Sequence, residues 1–176
     1  MSDKLTFFIK YIPDIINFAI FYKENLIDKE ITYSSKNHSL SVKFDKSNFS
    51  HLIGISYVHG AEKFFDDSSE NKIDRTAIRF KDGNESFRLK LQVIAQCTSL
   101  LELPIYINDR WIIGNANYDG SIIKNKIYMI GLKDVTPFTK KPMSLINITT
   151  QPVHKYETVT QIRIKDVNTK LVTVIK

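Results

Sequence analysis

The sequence predicts a single α+β domain, residues 1–176, in which N-terminal helices pack on a largely antiparallel C-terminal β-sheet. Apolar residues recur mainly at helical spacing before residue 105 and alternate as in strands after it. The 176 residues contain no internal repeat, low-complexity tract or linker, and this length suits one domain. Helices followed by strands favour this class over a doubly wound parallel sheet.

The N-terminal part is expected to hold short helices and one hairpin. Residues 5–25 follow a helical period, and Pro13 marks a kink or a helix start, so two helical pieces are expected. Alternation at 31–33 and 40–44 predicts the hairpin. The other expected elements are a short helix capped by Asp45 or Ser47 and interrupted by Gly54, a helical turn or two within 57–65, a polar loop at 66–71, a strand at 76–80 and a helix at 86–101 closed by Pro104.

The C-terminal part is expected to form the sheet. Short alternating runs separated by turn residues are typical of half-buried strands. The expected strands lie at 106–107, 111–113, 127–132, 158–164 and 171–175.

The apolar N-terminal stretch is not expected to cross a membrane or to act as a signal segment. Four charged residues interrupt it, whereas a span needs about 20 largely uncharged apolar residues. The only cysteine, Cys97, allows no intramolecular disulfide and suits a reducing compartment. We therefore expect a cytoplasmic protein in which Cys97 is an inert core residue.

Several kinds of site lack support in the sequence. The six glycines do not have the spacing of a phosphate loop, and the four histidines show no HExxH or comparable ligand spacing. A GxSxG elbow and a matched carboxylate pair are also missing. We therefore expect neither a cofactor nor a metal ion.

The net charge of +6 is concentrated in the C-terminal third. Residues 121–176 carry ten Lys or Arg against three Asp or Glu, whereas residues 1–120 carry fifteen against sixteen. A basic region of this kind favours an anionic partner such as nucleic acid, although a solvated basic surface is the commoner explanation.

One segment places a histidine inside an apolar stretch beside a glycine, NFSHLIGI at 48–55. Three further pieces follow it in the chain: Phe-Phe-Asp at 64–66, a Lys-Asp-Gly turn at 81–83 before a lysine-bearing helix, and Lys-Pro-Met-Ser-Leu at 141–145. In this order the pieces resemble the phage and mobile-element branch of the Barnase-EndoU-colicin-RelE-like nucleases. The resemblance spans roughly residues 40–175.

This resemblance implies a small nuclease fold, usually deployed as a toxin that cuts RNA without a metal ion. It implies that His51 is the family histidine, Lys90 the lysine on the helix after the turn, and Ser144 the serine of the late motif. Metal-free cleavage proceeds by attack of a ribose 2′-hydroxyl on the adjacent phosphate, and it needs an acid, a base and donors to the developing negative charge.

Histidine suits the acid or base role because its unperturbed pKa is about 6.5. Lys90 would supply positive charge, and Ser144 would donate a hydrogen bond to a nonbridging oxygen. Substrate contacts are expected from the Tyr57 ring by base stacking and, in the basic third, from His154, Lys155 and Arg163.

Four of these residues also have a purely structural interpretation. His51 could be a core histidine bonded to a carbonyl, Lys90 a solvated helix lysine, Ser144 a cap or turn residue, and Tyr57 a packing residue. His38 and His59 are expected at the surface.

The leading hypothesis is thus a metal-independent endoribonuclease of toxin type, with RNA as substrate and an antitoxin or immunity protein as a further partner. A catalytically silent nucleic-acid-binding module would have the same basic strands. A phage or mobile-element protein-interaction module, whose basic surface meets an acidic protein, is the third hypothesis. Cleavage activity separates the first from the second, and salt-steep RNA binding separates both from the third.

Overall fold

A computed structural model describes residues 3–80, 86–113, 116–150 and 155–176, without the side chain of Ile113. The helices are α1 (Asp3–Lys10), α2 (Ile12–Asn25), α3 (Lys46–Ile53), α4 (Ala61–Ser69) and α5 (Ser86–Leu91), with 3₁₀ turns at Arg75–Ala77 and Ile94–Ser99. The strands are β1 (Lys29–Ser34), β2 (Ser39–Lys43), β3 (Ser56–Tyr57), β4 (Ile78–Arg79), β5 (Ile105–Asn108), β6 (Trp111–Ile113), β7 (Ala116–Tyr118), β8 (Gly120–Lys124), β9 (Tyr128–Thr136), β10 (Thr139–Asn147), β11 (Glu157–Thr158), β12 (Gln161–Asp166) and β13 (Val172–Ile175).

The main sheet has the strand order β11-β5-β8-β9-β10-β2-β1-β12-β13. Its pairs are antiparallel except β10 with β2, where Lys140 lies opposite Val42. The predicted α+β class with a largely antiparallel sheet is therefore confirmed.

The sheet curls because one short segment, β11 followed by β12, pairs with strands near opposite edges of the sheet. Only Val159 and Thr160 separate β11, which pairs with β5, from β12, which pairs with β1. The backbone N–H of Val159 donates to the carbonyl of Ile105, and that of Thr160 donates to the carbonyl of Ser34. The segment from β11 to β12 thus joins two strands that lie five places apart along the sheet.

Two apolar clusters stabilise this arrangement. The larger one contains an aromatic group in which Tyr22 of α2 and Phe49 of α3 contact each other and Phe65 of α4. The smaller cluster, built on Ile123 and Met129, lies under the hairpin of β6 and β7. Cys97 is fully buried, and burial raises the pKa of its thiol, as expected for an inert core cysteine.

The N-terminal apolar stretch forms two helices, as predicted, with Pro13 in the first turn of α2. No single helix in the described part of the chain has the length and apolar composition to cross a membrane. The bent pair of α1 and α2 passes such a test only when the two are taken together. Both helices bury residues in the larger cluster, among them Phe8, Ile15 and Phe18.

Several predicted elements are corrected by the structure. The expected helix at 86–101 ends at Leu91 and continues as a 3₁₀ turn, and the helix expected within 57–65 begins only at Ala61. The polar residues at 66–69, expected in a loop, belong to α4. Strands β8 and β10 were missed, since Gly120 begins the first and Pro142 lies inside the second.

Candidate active-site cleft

The NFSHLIGI segment at 48–55 forms most of helix α3 and its C-cap. The backbone N–H of Asp45 donates to Oδ1 of Asn48 at 3.0 Å, which satisfies one polar group at the start of the helix. Phe49 and Leu52 are fully buried, whereas His51 is exposed on the opposite side. His51 is thus the single exposed residue of NFSHLIGI, which argues against the interpretation as a core residue.

Gly54 ends α3 in the left-handed region, with φ of 85°. A Cβ atom there would lie 2.9 Å from Cδ of Lys90 and 3.2 Å from Cα of Phe87. The absence of a side chain thus allows α5 to approach the end of α3. This close approach brings Lys90 to the end of α3, where its Nζ donates to the backbone carbonyl of His51 at 2.7 Å.

His51 and Lys90 line one cleft with a volume of about 360 Å³. Its wall is formed by α3, the segment that follows α3, α5 and the middle of β10. The other lining residues are Ser50, Gly54, Ile55, Ser56, Tyr57, Ala61, Ser86 and Met143. The structure therefore brings together two of the three residues that the family resemblance implied as catalytic.

Ser144 is next to the cleft, but it is not among the residues that line it. In the pairing of β10 with β9, Pro142 faces Leu132 and Ser144 faces Gly131, so Met143 is an extra residue in a β-bulge. Bulges of this kind redirect a side chain locally. Here the bulge brings Met143, and not Ser144, to the cleft.

Tyr57 lines the cleft with only 6% of its surface exposed. Its hydroxyl donates to Oδ2 of Asp67 at 2.9 Å and accepts from the backbone N–H of Asp74 at 2.9 Å. These bonds fix the ring from behind the cleft.

Asp67 is itself buried and also bonds to Lys63. Burial by itself raises the pKa of Asp67, but the hydrogen bonds from Lys63 and Tyr57 outweigh this effect and hold the pKa below its usual range. The carboxyl group therefore stays ionised and accepts these bonds at neutral pH.

Helix α5 is held in position by α1. The Arg88 guanidinium lies 4.6 Å from the centre of the Phe7 ring and forms an ion pair with Asp3. The rings of Phe7 and Phe87 also meet edge to face, with centroids 6.1 Å apart. These contacts set the position of the helix that carries Lys90.

Two of the predicted substrate residues of the basic third, Lys155 and Arg163, lie away from this cleft. Lys155 lines a second hollow, of about 310 Å³, where His38 lies 3.3 Å from carboxylate oxygens of both Asp109 and Glu157. Arg163 is exposed on β12, three strands from β10 in the sheet. His154 and the Lys-Asp-Gly turn at 81–83 lie outside the described residues.

Sequence reasoning missed Ser56 and Met143 among the cleft residues. The Pro-Met-Ser-Leu motif contains Met143, and a proline within a strand is itself a signal for a bulge. Ser56 carried no such signal. Among the described residues, no group of three His, Cys, Asp or Glu side chains is placed to hold a metal ion.

Comparison with known families supports a nuclease origin for this cleft. Residues 14–173 match the model of a family described as phage-Barnase-EndoU-ColicinE5/D-RelE like nuclease4. The match covers α2 to β13 and includes every residue of the cleft. No curated protein and no solved structure matched the chain.

Proposed function

Since the chain belongs to this family of phage-type Barnase-EndoU-colicin-RelE-like nucleases, we propose that it is an endoribonuclease of toxin type that cuts RNA without a metal ion. The observation that carries the proposal is the shared cleft of His51 and Lys90, joined by the 2.7 Å hydrogen bond. An exposed histidine and a lysine that line the same cleft offer proton transfer and positive charge in one place.

In the proposed reaction His51 acts as acid or base during attack of the ribose 2′-hydroxyl on the adjacent phosphate. The Lys90 ammonium group donates to the His51 carbonyl, and in the proposed reaction its positive charge stabilises the charged phosphorane. Ser144 is proposed as a weaker contributor, because its neighbour Met143 occupies the cleft wall. The products would be a 2′,3′-cyclic phosphate and a 5′-hydroxyl.

The proposal also includes action in the cytoplasm and restraint by an antitoxin or immunity protein. Expression of the wild-type chain in bacteria should then arrest growth, and expression of His51→Ala should not. Growth arrest by both proteins would separate toxicity from the proposed chemistry.

The decisive assay follows cleavage of single-stranded RNA in excess chelator and identifies the new ends. We expect cleavage to persist and to leave the cyclic phosphate or its hydrolysis product. Loss of cleavage in chelator with recovery in magnesium would overturn the metal-independent mechanism.

His51→Ala should lower the cleavage rate by about 10²-fold to 10⁴-fold, the usual contribution of a positioned acid or base. Because His51 is exposed, the variant should melt close to the wild-type temperature and keep its RNA affinity. His38→Ala is the control, since His38 lies in the second hollow. Wild-type cleavage by a folded His51→Ala protein would refute the catalytic role.

Lys90→Ala should lower the rate by about 10²-fold to 10³-fold, as expected for loss of a group that stabilises transition-state charge. Lys23→Ala, which removes an exposed lysine from α2, is the charge-matched control. Ser144→Ala should lower the rate less than either cleft variant. Equal rates for Lys90→Ala and Lys23→Ala would remove Lys90 from the mechanism.

A further inference from the structure

The hairpin of β9 and β10 presents an aromatic side chain to solvent. Phe138, in its two-residue turn, is 85% exposed, and Val135 near the end of β9 is 58% exposed. Single exposed apolar residues are common on protein surfaces and need no explanation by themselves. The surroundings of Phe138 distinguish this one, and we call residues 133–141 the hairpin arm.

The hairpin arm is braced at its base. Asp119, which precedes β8, accepts from the backbone N–H of Asp134 at 3.1 Å and from Nζ of Lys133 at 3.4 Å. On the opposite strand, Lys140 forms a further ion pair with Asp134. These bonds fix the base of the hairpin arm, which lowers the cost of ordering its backbone on binding.

The hairpin arm is also basic. It carries Lys133, Lys140 and Lys141 against a single acidic residue, Asp134. Lys133 and Lys140 are engaged by carboxylates, whereas Lys141 forms no ion pair within the described part of the chain. An exposed ring three residues from a lysine that has no ion pair among the described residues matches the way proteins bind single-stranded nucleic acid, with bases stacked on aromatic rings and phosphates near cations.

The same strand connects the hairpin arm to the cleft. Met143 lines the cleft, and Phe138 lies five residues before it in the chain. At a strand rise of about 3.3 Å per residue the two positions are roughly 17 Å apart. One strand of a stacked duplex has about 3.4 Å per nucleotide, and at that spacing roughly five nucleotides cover this distance.

We propose that the hairpin arm is a remote substrate-binding element, in which Phe138 stacks on a base about five nucleotides from the cleaved bond and Lys141 contacts a phosphate on the way. This inference rests on the proposed nuclease function and adds to it the length and single-stranded form of the substrate. It assigns the stacking role to Phe138, while Tyr57 stays in the cleft wall with its hydroxyl bound.

The test compares cleavage of a dinucleotide with cleavage of a single-stranded RNA of about twelve nucleotides. Loss of one stacked base costs about 5-fold to 150-fold in affinity. Phe138→Ala should therefore lower kcat/KM on the long RNA by that factor, mainly through KM, and leave the dinucleotide rate unchanged. Phe138→Trp should retain the wild-type preference for the long substrate.

Leu171→Ala is the matched control, because Leu171 is 71% exposed on the connection between β12 and β13. It should change neither rate. Equal kcat/KM for wild type and Phe138→Ala on the long RNA would overturn the inference. Equal losses on both substrates would also overturn it, since they would indicate a structural effect on the cleft.

A binding measurement separates this inference from the nuclease proposal. In a Trp111→Phe, Phe138→Trp variant the only indole lies at the hairpin arm, because the chain has one tryptophan. Stacking of a base should quench its fluorescence, including with an uncleavable 2′-deoxy oligonucleotide. Quenching without any cleavage by wild type would support the binding element and refute the nuclease. Cleavage by wild type without quenching would refute the binding element alone.

Discussion

Tyr57 stands in the wall of the cleft with its hydroxyl group held by two residues behind it. The hydroxyl bonds to the carboxylate of Asp67 and to the backbone N–H of Asp74. Asp67 is 5% exposed, so the bond that Tyr57 supplies is not readily replaced by water. The position of this wall therefore depends on a buried polar network.

Tyr57→Phe should lower the free energy of unfolding by about 1 to 3 kcal/mol, because it leaves the partners of the hydroxyl unsatisfied. Urea denaturation measures this loss. The ring is kept, so cleavage at a temperature where the variant is folded should change only a few-fold. Unchanged stability would show that the network contributes nothing to the fold.

At this scale the sequence predicted some of the cleft and misplaced other parts. His51 could be found because a polar residue within an apolar helical run must lie on an exposed side or be bonded internally. Met143 could not be separated from Ser144, since a bulge shifts the side-chain period by one residue. Lys155 and Arg163 were predicted as substrate contacts from charge, and charge along a chain does not specify a place in space.

The junction of α3 and α5 is the element on which the cleft depends. Gly54 and Gly60 both have positive φ, 85° and 94°, but they differ in their surroundings. A Cβ at Gly54 would meet Lys90 and Phe87, whereas a Cβ at Gly60 would have no heavy atom within 4 Å. A substitution at Gly60 would thus introduce backbone strain alone, whereas one at Gly54 would introduce both strain and a clash with α5.

Gly54→Ala and Gly60→Ala should both destabilise the protein, by about 1 to 3 kcal/mol of backbone strain. Only Gly54→Ala should also displace Lys90 and reduce cleavage. Thermal melting and the cleavage rate, measured side by side, test this pair. Equal rates in two folded variants would show that the approach of α5 to α3 does not position the lysine.

An ion pair between β1 and β12 contributes to the stability of the fold in a pH-dependent way. Asp166 bonds to Lys29 of the opposite strand and to the backbone N–H of Thr169 at 2.8 Å, and these bonds hold its pKa well below the usual range. A carboxyl group whose pKa is depressed in the folded state stabilises the fold above its unfolded pKa of about 4. The contribution is lost as the pH falls below that value.

Asp166→Asn should therefore lower the melting temperature at pH 7 and have a smaller effect at pH 2 to 3. Melting curves across this range measure the difference. Glu24→Gln, on the exposed side of α2, is the control and should show little change. A constant difference between Asp166→Asn and wild type at all pH values would contradict the ionic origin of the stabilisation.

The helix predicted at 86–101 and the missed strand β10 both have physical explanations. Leu89, which fits a helical period in the sequence, is 54% exposed, and the α-helix ends two residues later in favour of a tighter turn. Strand β10 was not predicted because it contains Lys140, Lys141 and Pro142, and lysine and proline are uncommon in central strands. Its register shift at Met143 accommodates the proline.

At the scale of the whole molecule, the charge pattern predicts salt-sensitive RNA binding. The affinity of the His51→Ala protein for single-stranded RNA should fall with a slope of about −0.7 on log[salt] for each neutralised phosphate. Lys141→Gln should reduce that slope by about 0.7 if it contacts a phosphate. Arg163→Gln tests the more distant position on β12 in the same titration, and an unchanged slope there would exclude Arg163 from the binding surface.

The fold class was predictable because it depends on the period of the apolar residues, which survives local errors in element boundaries. The curled sheet was not predictable, since it requires that β12 return to β1. Nothing in the short-range pattern states which strands far apart in the chain will pair.

That return of β12 to β1 also sets the kinetics of folding. Lys29 and Asp166 meet across 137 positions of sequence, and pairings this distant give a high contact order, for which folding times lie in the range of milliseconds to seconds. During synthesis, β1 and β5 each have one edge without a partner strand until residues 157–166 have been made. Until then both strands expose unpaired backbone groups, the feature that makes nascent β-proteins prone to aggregate. A nuclease built this way completes its main sheet only after residues 157–166 have been synthesised.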